Sequence, residues 1–145
     1  MTNHDRGHYS KKHSGERRGI DPVIANALEE KAIDKKVTCA GAFKIAENCR
    51  TTAGEIGFTL DMLEIRIIRC QMGIFGYEPE KKVVKPMENV QGELESAIWE
   101  KLAGGKLTCA SAWEIARVLN IPKMHVSSAC EKLGIKIKFC QLGAF

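Results

Sequence analysis

Six cysteines, four histidines and a set of lysines late in the chain are the residues with chemistry to offer. The cysteines stand at positions 39, 49, 70, 109, 130 and 140. None of them forms a C-x-x-C pair, so zinc-ribbon and thioredoxin-type chemistry lack the spacing they need. A bound metal or iron-sulfur cluster has no supporting ligand pattern either, and no cofactor is expected. Free cysteine otherwise packs as a small hydrophobe, which is the reading for Cys49 and Cys130. His4, His8 and His13 lie four and five residues apart, a tract that can ligate a transition metal only where a fold fixes its geometry. No G-x-S-x-G, phosphate loop, dinucleotide fingerprint or H-E-x-x-H occurs, and the carboxylates fall on solvated helix positions. An enzyme is therefore not expected.

The elements that must position these residues are organised by a duplication. Sliding the sequence along itself by 70 residues lays Val37–Ala46 on Leu107–Ala116 and, with no gap, Met62–Phe75 on Lys132–Phe145. Over these 39 positions 13 residues are identical, against roughly two or three for unrelated chains of average composition. Cys39/Cys109 and Cys70/Cys140 are among the identical pairs. The chain accordingly divides into a basic, flexible leader (1–20), repeat 1 (21–76), a linker (77–89) carrying Gly and Pro, and repeat 2 (90–145).

Repeat 2 has the clearer periodicity. Leu94, Ala97, Ile98 and Leu102 share one face of a first helix over Glu93–Leu102, ended by Gly104-Gly105. Thr108 caps a second helix, whose apolar face is Ala112, Ile115, Ala116 and Leu119. Pro122 opens a third, through Val126, Ala129 and Leu133, closed by Gly134. Ile135, Ile137 and Phe139 then alternate with Lys136, Lys138 and Cys140, which is strand periodicity. The expected fold class is mainly α, with three helices and a short strand in each repeat.

The segment AWEIARVLNIPKMHVSSACEKLGI resembles a helix-turn-helix of the winged-helix superfamily. Ala116 supplies the small residue where the two helices cross, Ile115, Leu119 and Ile121 surround it, and Val126 stands at mid-helix. Two short helices crossing steeply must touch closely, and this leaves the second exposed on one side. The resemblance implies two tandem winged-helix-like domains in a DNA-binding protein, a transcriptional regulator. The third helix of repeat 2 would enter the major groove of double-stranded DNA. Lys123, His125, Ser127 and Ser128 would lie near the base edges, and Lys132, Lys136 and Lys138 would contact phosphates. In winged-helix folds a short strand before the second helix often pairs with the strand after the third. That would bring Cys109 towards Cys140, and Cys39 towards Cys70. Strand alternation would set Cys140 beside Lys136 and Lys138, where a thiol gains reactivity. The four repeated cysteines are thus either plain core or a redox or metal site.

Repeat 1 departs from this pattern. Cys49 replaces the helix-end Leu, Thr51-Thr52 replaces Ile-Pro, and the third helix, Thr52–Leu63, carries Glu55 and Asp61 but no Lys or Arg. Carboxylates repel phosphates, so repeat 1 is expected to keep the fold and offer a homodimer or protein-partner surface. Only eleven residues follow Gly134, which is short for the two-stranded wing.

Charge sharpens the contrast. The leader holds five basic and two acidic residues, whereas residues 21–145 hold 17 and 16. A basic leader attracts polyanions; a near-neutral body suits a protein-interaction module or adaptor, the alternative function. No stretch free of charged residues exceeds eight positions, far short of the roughly 20 apolar residues of a membrane span. The N-terminal residues also lack the apolar region of a secretory signal, so the expected setting is cytoplasmic.

Overall fold

The computed structural model describes residues 8–13 and 19–145. Of the histidine tract, His4 lies outside the described residues. The chain is mainly α: a 3-10 helix (Tyr9–His13), then α1 (Pro22–Lys31), β1 (Lys36–Thr38), α2 (Cys39–Asn48), α3 (Ala53–Met62) and β2 (Arg66–Ile68). The same order follows again as α4 (Gly92–Glu100), β3 (Leu107–Thr108), α5 (Cys109–Leu119), α6 (Lys123–Leu133) and β4 (Ile137–Lys138).

Local chemistry accounts for these boundaries. The Asp21 carboxylate accepts from the Val23 amide, with Pro22 pre-set for the first turn of α1. Thr38 and Thr108, identical residues of the duplication, cap α2 and α5 by accepting from Gly41 N at 2.9 Å and Ser111 N at 3.0 Å. Thr52 does the same for α3 through Glu55 N. Pro122 precedes α6, and Gly134 closes it in the left-handed conformation at φ 71°. The first helix of repeat 2 stops at Glu100, so Leu102 belongs to the turn that follows.

The offset of 70 found in the sequence recurs in the backbone. Left-handed residues recur at an offset of 70: Asp34 and Gly104, Lys35 and Gly105, Arg50 and Asn120, Glu64 and Gly134, Arg69 and Phe139. After each second helix, a backbone amide returns to the buried alanine five residues back, Thr51 N to Ala46 O and Ile121 N to Ala116 O, both at 3.0 Å. The ladders are parallel, Val37↔Ile67 within β1–β2 and Leu107↔Ile137 within β3–β4. Both are very short, and among the described residues no ladder forms a two-stranded wing after α6.

The strand expected through Phe139 ends at Lys138. Phe139 takes φ 55° and is 72% exposed, so it leaves the strand instead of joining the core. A non-glycine residue in the left-handed region breaks the alternation that would set Cys140 beside Lys136 and Lys138.

The chain forms two compact units, residues 1–70 with 141–145, and residues 71–140. The segment 77–89 read as a linker therefore lies within the second unit. In the first, Ile24, Leu28, Val37, Ala42, Ile45, Ala46 and Ile56 form the core; in the second, Leu94, Ile98, Leu107, Ala112, Ile115, Ala116 and Val126 stand at the matching positions. No helix among the described residues is long and apolar enough to cross a membrane.

Candidate interaction surface on the third helices

In the first unit α3 is apolar on nearly every side, and Ile56 through Asp61 are six consecutive buried residues. A helix buried all round must be covered all round. Two segments remote in sequence do this.

The first is the 3-10 helix at Tyr9–His13. Tyr9 is buried, and its amide donates to Glu64 Oε2 at 2.9 Å, while Ser10 N and Oγ both donate to Oε1. Asp61, only 3% exposed, is ion-paired to Lys12 Nζ at 3.1 Å and contacted by His13 Nε2 at 2.7 Å. The His13 ring stands edge-on to Phe58 at 4.8 Å between centroids. Burial alone would raise the Glu64 carboxyl; the hydrogen bonds from Ser10 and Tyr9, with the charge of His8, outweigh it and hold it below its ordinary value. The part of the leader at 9–13 is thus docked rather than flexible, and the acidity of α3 serves this clasp. A free acidic partner surface does not exist at Asp61.

The second is residues 141–145. A Cβ placed on Gly57 would lie 2.1 Å from Leu142 O, so the backbone of this segment rests directly on the helix. Leu142 and Ala144 are buried, and Lys12 Nζ donates to Gly143 O at 3.0 Å.

In the second unit the outer side of α6 is covered by the stretch that follows β2. Gly73 approaches the Met124 side chain and Val84. Ser128 Oγ donates to Lys85 O, Met87 N donates to Ser128 O, and Lys82 pairs with Glu131. This decides where the expected DNA-contacting residues lie. Ser127 is 1% exposed and shares a cleft with Ile74 and Lys82 of the covering stretch, and Ser128 is engaged with Lys85, so neither is presented as a base reader. Lys123 is half-buried, with Nζ 4.6 Å from the centre of the Trp113 ring. His125, Lys132 and Lys136 are exposed, and Lys138 is half-exposed at the end of β4. His125 edges a cleft of about 430 Å³ whose apolar wall includes Leu94, Leu119 and Ile121.

Cys39, Cys70 and Cys109 are buried and Cys140 is half-buried; none of the six cysteines is in a disulfide. Cys39 directly follows Thr38, and Cys70 lies two residues beyond Ile68, the residue paired with Thr38. Cys130 is different: burial, with the Glu131 charge beside it, pushes its thiol up to about 11. Among the described residues no group of three or more His, Cys, Asp or Glu is placed to hold a metal ion.

Sequence reasoning missed Tyr9, Gly57, Asp61, Glu64 and Leu142 as partners in one arrangement. One signal was available: GEIGFTLDM combines two helix-weakening glycines with apolar residues on every face, which fits a helix held by what surrounds it. Comparison of the chain with family models, with curated proteins and with solved structures finds no match.

Proposed function

We propose that the protein is a protein-interaction module, an adaptor of tandem winged-helix-like repeats, whose third helices are docking faces for extended peptide segments. The observation that carries this is the seat of Leu142 on Gly57, where a missing side chain lets a peptide backbone lie against a helix. Around it are the marks of peptide recognition: buried apolar side chains from the segment and a lysine donating to its main chain. The recurring order of helix, strand, helix, helix and strand supports the winged-helix kinship. Cysteines that form no disulfide fit a cytoplasmic setting.

The test uses a chain carrying Leu142→Lys, which spoils the resident segment and spares the groove. A fluorescent peptide of sequence KFSQLGAF, serine replacing the cysteine, should bind it saturably in an anisotropy titration. The double variant Gly57→Leu/Leu142→Lys should not bind. Equal binding by both chains removes the reading.

A second reading, a DNA-binding transcriptional regulator, is favoured by the exposed His125, Lys132 and Lys136 beside a helix-turn-helix-like pair. With Ser127 buried, such binding rests on phosphates and is largely insensitive to sequence. Titration with random duplex DNA at several salt concentrations, with and without residues 1–20, tests it. A positive result would show affinity falling steeply with salt, and Lys136→Ala lowering that slope by about one.

A further inference from the structure

The geometry points to a second copy of this chain as a partner of the α3 groove: Gln141–Phe145 of one copy seats on Gly57 of another. This rests on the reading of α3 as a peptide-docking face. Residues 141–145 follow the strand of repeat 2 yet belong to the unit built on repeat 1. Their counterparts 71–75 follow the strand of repeat 1 and belong to the unit built on repeat 2. The two segments, QMGIF and QLGAF, share Gln, Gly and Phe at the same positions. In both units, then, the third helix is covered by a segment from the other repeat. Such a groove recognises a segment delivered from elsewhere, and nothing in the contact distinguishes one copy of the chain from another.

The link also favours exchange. Between β4 and the docked segment stand only Phe139 and Cys140, with Phe139 left-handed and exposed. A phenylalanine in that region is strained. Straightening the link releases the strain and carries residues 141–145 away from their own α3. The contacts made between copies are those made within one, so exchange forfeits only the freedom of two separate molecules, and concentration offsets that loss.

Two full-length variants test this. Gly57→Leu blocks the groove and keeps the segment; Leu142→Lys keeps the groove and spoils the segment. Each alone should run at the mass of one chain in light scattering, whereas the mixture should shift to the mass of two. Should Gly57→Leu fail to fold, Gly57→Ala replaces it, because its single methyl already meets Leu142 O. The wild-type chain should form a two-chain species that grows with concentration and is lost in Leu142→Lys. A mixture of folded variants that stays at one-chain mass overturns the exchange. If that happens while the KFSQLGAF peptide still binds the Leu142→Lys chain, the docking face stands and only the exchange falls; if the peptide fails too, both fall.

Discussion

Gly57 sits in mid-helix, where alanine is ordinarily the better helix former by about 1 kcal/mol. Here the order reverses, because a methyl would meet the Leu142 carbonyl, a backbone atom that cannot rotate aside. Gly57→Ala should destabilise the first unit by about 1–3 kcal/mol, the usual cost of overpacking, in chemical denaturation. Stabilisation instead would mean that the segment does not rest on α3. Glu64 supplies a second residue-level expectation. Its carboxyl is lowered in the folded chain, so its contribution is complete above the ordinary carboxylate range and is lost as pH falls through the lowered value. Protection of the Tyr9 and Ser10 amides, taken relative to their intrinsic exchange rates, should fall as the solution is acidified, and Glu64→Gln should leave it low at every pH. A wild-type rate that follows only the intrinsic chemistry of exchange would contradict this. Cys130, with a thiol near 11, is almost wholly protonated at pH 8, with thiolate on the order of one part in a thousand. It should resist alkylation in the native protein while the half-exposed Cys49 and Cys140 react first; early labelling of Cys130 would contradict its burial.

At the scale of elements, the two repeats solve the same turns with different residues. Repeat 2 closes its third helix with Gly134 and its second with Asn120, residues suited to the left-handed region. Repeat 1 uses Glu64 and Arg50 there. Arg50 is exposed, so Arg50→Gly should stabilise the chain by about 0.5–1 kcal/mol, the relief of the side-chain clash less the backbone entropy of glycine. A fall in thermal stability would refute it. The same contrast explains what the sequence made legible. Thr38, Thr108 and Gly134 act through neighbours a few residues away, so the helices of both repeats could be read from their caps and periodicity. Phe139 could not, because its alternation with Ile135 and Ile137 is good strand pattern and only its backbone leaves the ladder. The burial of Ser127 is not legible for another reason. Its helix has an exposed side only if nothing covers it, and the cover comes from Gly73 to Met87, some 40 to 54 residues earlier.

For the whole molecule, the division into units follows the third helices more than the linear repeats. Residues 141–145 and Tyr9–His13 converge on α3 from opposite parts of the sequence, and neither shows its destination in its own pattern. In the function proposed above, α3 is a docking face held in place by what covers it. Hydrogen exchange on the Leu142→Lys chain, with and without the KFSQLGAF peptide, tests this most directly. Ile56–Asp61 should lose protection in the variant and regain it with peptide, while α1 and α4 are unchanged. Protection of α3 that is equal in wild type, variant and peptide-bound variant would contradict it.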